Sequence, residues 1–223
     1  MFARAFAQDP RQRYPDARTL AADLQNVINA LRHPQGITFV VGRLTDVGRV
    51  RELNEDAFVT LEALHAIQQG SQALGLFVVA DGMGGAAAGE VASKMVTQVM
   101  AQHIAANVFA PYFATPAPQL DYGAILLAAV EQANKAVFEA RSRARSDMGS
   151  TVVAALVVGN QAYIVNVGDS RAYRIASDRI EKITKDHSLV QALVDRKEIG
   201  EDDVYTHPPV SYTHLTLPTI YSV

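Results

Sequence analysis

From residue 37 onward, short apolar runs rich in β-branched residues alternate with turns built on glycine, asparagine and aspartate, and two long stretches of helical spacing interrupt them. Residues 37–42 (Ile-Thr-Phe-Val-Val-Gly) and 56–61 (Asp-Ala-Phe-Val-Thr-Leu) read as strands. Leu76-Phe77-Val78-Val79-Ala80 is a continuous apolar run bounded by Gly75 and Gly82, which suits a strand buried on both faces. Residues 62–75 carry no sharp pattern and read as a connecting loop. A helix is predicted from residue 86 to about 108, with Val91, Met95, Val99 and Met100 near helical spacing, before Pro111, Pro116 and Pro118 break it. A second should run from a cap at Asp121 to Arg145, carrying Ile125, Leu126, Ala129, Ala133, Val137 and Phe138. Two long helices in succession predict an antiparallel pair over one sheet face. Residues 151–158 and 161–167, joined by Gly159-Asn160, predict a hairpin, and residues 171–175 and 179–184 extend it as a meander. Residues 188–199 read as a last helix with Leu189, Ala192 and Leu193 on one face.

The first 35 residues have a different texture. Asp9-Pro10-Arg11-Gln12-Arg13-Tyr14-Pro15 is a polar, proline-marked turn, and Asp16 or Thr19 can cap a helix carrying Leu20, Leu24, Val27, Ile28 and Leu31. Such a unit is too small to make its own core. The segment resembles the closing turn and helix of the C-terminal lobe of a Ser/Thr protein kinase, in which Arg13 would be a structural ion-pair residue.

Composition narrows the chemistry. The net charge of −3 implies no field for nucleic acid. With no cysteine there are no disulfides, thiolate ligands or thiol nucleophiles, so a metal would be held by oxygen or imidazole, which favours magnesium or manganese. The N-terminus lacks the pattern of a signal peptide, and no apolar run has the length to span a bilayer; the expected location is cytoplasmic.

Asp81 ends the apolar run and is followed by Gly82, Gly84 and Gly85. A carboxylate at the end of a buried strand needs a cation or backbone amides, and glycines let the chain turn close to whatever it holds. A plain strand-to-turn junction and a phosphate cradle at a helix start are the competing readings of this stretch. Three further polar knots recur beside strands: Arg51-x-x-Asn54-Glu55-Asp56, Asp147-Met148-Gly149-Ser150-Thr151, and Gly168-Asp169-Ser170-Arg171. Carboxylates gathered at strand ends repel unless divalent cations sit among them, and an arginine in their midst suits a phosphate.

These motifs, followed by Thr184-x-Asp186-His187-Ser188, are similar in order and spacing to the bacterial branch of the metal-dependent protein phosphatase 2C family, over residues 38–209. The resemblance implies an α+β fold, a two-sheet β-sandwich flanked by antiparallel helix pairs, here truncated. It implies hydrolysis of phosphoserine and phosphothreonine in proteins by a water bridging two Mn2+ or Mg2+ ions, with a third ion in bacterial members. Asp81 would bridge the cations and the Gly82 carbonyl would bind one. Arg51 would clamp the substrate phosphate, Glu55 and Asp56 would hold metal-bound waters, Asp147 would ligate the third metal, and Asp169 would support that region. Phosphorylated Ser/Thr proteins, and a cognate Ser/Thr kinase, are the implied partners. His187 is given no catalytic role.

The departures are specific. Met83 stands where some members carry a histidine that could act as general acid, so leaving-group protonation is unassigned. The family's late Ser-Asp-Gly and Asp-Asn motifs are absent. Residues 210–219 (Val-Ser-Tyr-Thr-His-Leu-Thr-Leu-Pro-Thr) look like a translated sequencing adapter. The expected organisation is therefore a kinase-like C-terminal helix and linker over 1–35, the N-terminal part of a phosphatase domain over 36–209, and an artefactual tail over 210–223. A fragment lacking the late aspartates is expected to be weakly active or inactive. The alternative function is a non-catalytic regulatory or pseudo-phosphatase module that binds phosphorylated partners.

Overall fold

In the computed structural model, residues 9–32, 38–49, 51–67, 70–84, 88–114, 118–197, 200 and 219–222 are described. Strand β1 (Asp56–Ile67) and strand β2 (Gly70–Met83) form one long antiparallel hairpin. The expectation of a loop over 62–75 is thereby corrected. Glu62, Leu64 and His65 interrupt any clean alternation, yet the ladder continues through them from Asp56 opposite Asp81 to Ile67 opposite Gly70. The converse holds for residues 38–42, which have strand-forming side chains but lie outside any ladder. What anchors them is an edge-to-face contact between Phe39 and Phe77, ring centroids 5.4 Å apart, in space that a side chain at Gly75 would occupy. Ile37 lies outside the described residues.

Helix α1 (Ala17–Arg32) starts at Asp16, whose carboxylate accepts the Thr19 N–H at 2.7 Å, so Asp16 rather than Thr19 is its cap. Helix α2 (Ala88–Ile104) runs on through a π-type segment (Ala105–Phe109) and a short turn holding Pro111. Helix α3 (Tyr122–Ala144) has the expected ends, Asp121 capping the Ala124 N–H and Arg145 closing it in a left-handed conformation. His103, late in α2, meets Gln132 in the first half of α3, as in an antiparallel pair. The buried face of α2 is only partly the expected one: Met100 is buried as expected, Met95 and Val99 are partly covered and Val91 is exposed, while Ala92, Val96 and Ile104 are buried as well. Small residues face inward because α2 approaches the sheet closely. In α3, Leu126, Ala129, Ala133 and Val137 are buried as expected, but Phe138 faces outward.

Strands β3 (Gly149–Ser150), β4 (Val152–Val158) and β5 (Gln161–Val167) follow, and the main sheet has the order β1-β2-β4-β5 with β3 beside the end of β2. Alternate residues Leu74, Leu76, Val78 and Ala80 of β2, Val152, Ala154 and Leu156 of β4, and Val165 and Val167 of β5 form a single core with α2 and α3. Strands β6 (Tyr173–Ile175) and β7 (Ile180–Lys182) are shorter than expected and make a separate two-stranded sheet. Helix α4 (Leu189–Asp195) follows, its start capped by Ser188. Thr219–Ser222 pair as β8 along the open edge of β5. Among the described residues no helix is long and apolar enough to cross a membrane.

Candidate functional site

All five sequence motifs meet at the end of the sheet where β2 finishes, although Arg51 and Ser188 are far apart in the chain. The register that pairs β1 with β2 puts Asp56 directly opposite Asp81. The carbonyl of Glu55 then accepts the Gly82 N–H at 3.1 Å and the hydroxyl of Ser93, on α2, at 2.6 Å. Helix α2 comes in this close because Gly82 and Gly89 have no side chains: a Cβ on Gly82 would lie 2.0 Å from the Gly89 carbonyl oxygen, and one on Gly89 would lie 2.4 Å from Glu55 Oε1. The third motif secures the backbone of Asp81 from the other side. The Thr151 N–H and the Ser150 hydroxyl donate to the Asp81 carbonyl at 2.8 and 3.1 Å, and the Asp81 N–H donates to Thr151 Oγ1 at 3.0 Å. Asp147 lies beside Gly84, where an added Cβ would sit 3.4 Å from its Oδ1.

The fourth and fifth motifs hold each other. Arg171 makes a bidentate pair with the buried Asp186, with Nη2 2.5 Å from Oδ2, and Lys182 Nζ stands 3.5 Å from Oδ1. This pairing drives the Arg171 guanidinium further above its already high range. His187 closes on Gly168 twice, donating its N–H to the Gly168 carbonyl at 2.9 Å and accepting the Gly168 N–H on Nδ1 at 3.3 Å. Asn166 ties the same carbonyl to that of Lys185. These bonds place His187 against the turn that carries Asp169.

Charge separates the aspartates into two kinds. Asp186 is buried and paired, whereas Asp56, Asp81, Asp147 and Asp169 are all exposed and able to meet a solute. The Asp81 carboxyl is raised above the ordinary range. The largest cause is loss of solvation at the strand end, followed by the charge of Asp56 with its hydrogen bond, and then by Asp169; Arg51 pulls the other way. A site whose carboxylates already strain against one another is one that a cation would relieve. Among the described residues no three carboxylate or imidazole side chains converge closely enough to hold an ion alone. A hard divalent cation held by one or two carboxylates, a carbonyl and water suits this donor set. Arg51 reaches back to Glu55, Nη1 to Oε2 2.6 Å, with its own side chain 73% exposed.

Ser93 and Asn166 at this end went unread in the sequence, and Thr151 and Ser170 stood within quoted motifs without a role of their own. Ser93 looks like any small residue in a helix, and Thr151, Ser170 and Asn166 look like ordinary strand and turn residues. The available signal was a hydroxyl or amide placed within, or at the mouth of, an otherwise apolar run.

Residues 41–193 match the model of the family "Protein phosphatase 2C", and the chain belongs to that family. It is 32% identical over 169 residues to a serine/threonine phosphatase, stp, of Listeria innocua, covering 74% of this chain and 61% of that protein. Against the serine/threonine protein phosphatase PstP of Mycobacterium tuberculosis the identity is 36% over 167 residues, covering 74% of this chain and 28% of the relative. A crystal structure of the catalytic domain of PstP in complex with two manganese ions superposes with a TM-score of 0.57 at 33% identity, covering 79% of this chain and 68% of that one. The chain thus spans about three-fifths or less of the length of these curated relatives.

Proposed function

We propose that this chain is part of a metal-dependent protein phosphatase that hydrolyses phosphoserine and phosphothreonine in proteins, with Mn2+ or Mg2+ as cofactor. The observation that carries the reading is the meeting of five separated motifs around the Asp81 turn, in a chain of the phosphatase 2C family. Asp81 and the Gly82 carbonyl would hold the cations, with Glu55 and Asp56 acting through water, Asp147 at a third ion and Asp169 in support. When bound, two such cations supply Lewis acidity and a nucleophile at neutral pH. Arg51 would take the phosphate. Its bond to Glu55 is an exposed ion pair of small worth, so the planar fork is free to exchange one carboxylate for the paired oxygens of a phosphoryl group. Glu55, mostly covered, would hold that fork at the mouth of the site until the exchange.

Calorimetric titration with Mn2+ tests the reading, with Asp81→Asn as the comparison. Binding that Asp81→Asn abolishes is expected; equal binding by both chains, or none by either, would overturn it. Turnover of a phosphothreonine peptide is expected to be low in residues 1–223 alone.

We further propose that residues 1–35 are a kinase-like C-terminal helix and linker, that 36–209 carry the phosphatase part, and that 210–223 are of adapter origin. The open edge of β5 accepts any extended segment, which accounts for the short β8 pairing without an evolved role. A cytoplasmic location and a cognate Ser/Thr kinase as partner belong to the same proposal. Removing 1–35 or 210–223 is expected to leave the melting temperature of the remainder unchanged, and a clear loss on either deletion would make that segment part of the phosphatase fold.

A further inference from the structure

Thr151 opens the apolar run Val-Val-Ala-Ala-Leu-Val-Val and is only 6% exposed. Valine would match both its shape and its neighbours, so a buried hydroxyl at this point has to be explained by what it bonds. Its Oγ1 accepts the Asp81 N–H at 3.0 Å and lies 2.6 Å from the hydroxyl oxygen of Ser170. Its backbone N–H donates to the Asp81 carbonyl at 2.8 Å. Its methyl group fills the space beside Gly168, where an added Cβ would come within 2.7 Å of Thr151 Cγ2, on a residue held at φ +99°. One side chain therefore touches Asp81 and both neighbours of Asp169. The hydroxyl of Ser150, next to it, bonds toward the carbonyls of Asp81 and Thr151.

We propose that Thr151 is a positioning residue whose hydroxyl locks the Asp81 backbone to the Asp169 turn, so that the two carboxylates meet a divalent cation as one preorganised pair. The proposal rests on the reading of Asp81 and Asp169 as parts of a metal site. Asp81 lies near the end of β2 and Asp169 in the turn after β5, two strands separated in the sheet by β4. His187 and Asn166 hold Gly168 from behind and the Arg171–Asp186 pair holds the far side of the turn, but these contacts do not tie it to Asp81. The hydroxyl pair from Thr151 to Ser170 and the methyl packed on Gly168 supply that tie.

The test uses the full chain with Thr151→Val, which keeps shape but loses the hydroxyl, Thr151→Ser, which keeps the hydroxyl, and Ser170→Ala. Leu126→Ala, in α3, serves as a control for general destabilisation. Two quantities are read: Mn2+ affinity by calorimetry and the exchange rate of the Asp81 amide proton by NMR. Thr151→Val is expected to weaken Mn2+ binding by about tenfold and to speed Asp81 amide exchange by a similar factor, with Ser170→Ala intermediate and Thr151→Ser within about twofold of the wild type. Leu126→Ala should lower the melting temperature and leave Mn2+ affinity alone. Wild-type affinity in Thr151→Val, or a Thr151→Ser chain as impaired as Thr151→Val, would overturn the proposal. If Thr151→Val does not fold, Ser170→Ala decides, and wild-type affinity there overturns the lock. If the wild type itself binds no Mn2+, the metal reading fails, and unchanged Asp81 exchange in Thr151→Val would sink the lock separately.

Discussion

Two carboxylate-bearing turns lie side by side at this end of the sheet, and they are held by different forces. The Asp81 turn is fixed by neutral hydrogen bonds to its backbone and by the contact of two bare glycines, Gly82 and Gly89. The Asp169 turn is fixed from behind by a buried ion pair, Arg171 with Asp186, and by a histidine. The hold on the first turn is sensitive chiefly to volume. The second is sensitive to charge and to proton concentration. The two turns are thus open to different substitutions, with Thr151 as the link between them.

The largest effect is expected at Gly82→Ala, where a methyl group would fall 2.0 Å from a backbone oxygen that cannot move aside without displacing α2. The cost should be about 3 kcal/mol or more, seen as a lower midpoint in urea, and a loss below 1 kcal/mol would show that α2 yields easily. Asp186→Ala should come next. Removing a buried carboxylate strands Arg171, but that side chain is 30% exposed and can turn to water, so about 3 kcal/mol is expected, the low end for a broken buried pair. Adding 1 M salt should leave the wild-type pair largely intact, and a melting temperature that falls steeply with salt would contradict its burial.

Asp81→Asn should act in the opposite direction on stability. It removes a like charge directly across from Asp56, and the metal-free chain should gain about 0.2 to 1 kcal/mol even as it loses Mn2+ binding. A destabilised Asp81→Asn chain would mean that the carboxylate is needed by the fold itself. The smallest effect concerns pH. Burial holds the His187 imidazole below its ordinary value of 6.5, only partly offset by Asp186, so the folded protein favours the neutral ring that accepts the Gly168 N–H. That contribution is complete above pH 6.5 and is lost as pH falls through the lower folded value. His187→Gln should flatten the decline of stability as pH falls below 6.5; an unchanged slope would assign the decline to other groups.

The sequence was most legible where local rules decide the outcome. The caps of α3 at Asp121 and Arg145, the Gly159-Asn160 hairpin and the order of the carboxylate motifs needed only neighbours in the chain. It was least legible where distant packing decides. Residues 62–67 became strand because β2 offered them a ladder, and residues 38–42 stayed outside one despite their β-branched content. The inward face of α2 was only partly legible because Ala92 and Ser93 are inward for closeness of approach, which no hydrophobic period reports. Asp186 stood inside a quoted motif, but its partner was known only once the chain folded back on itself.

The pairing of Asp56 with Asp81 has one more consequence. Along β1 the two faces are almost equally greasy: Val59, Leu61 and Ala63 turn toward the core, while Phe58 and Leu64 turn away from it. Hydrophobic pattern alone therefore discriminates poorly between this alignment and one shifted by a single residue. The bond from Gly82 to the Glu55 carbonyl acts as the alignment mark that breaks the tie. A hairpin that slipped by one step would still be a sheet under two helices, with ordinary circular dichroism, but Asp56 would face away from Asp81 and the cation site proposed above would be lost. Metal binding would then be the proofreading signal for this hairpin, separating correctly threaded molecules from a well-folded population of duds.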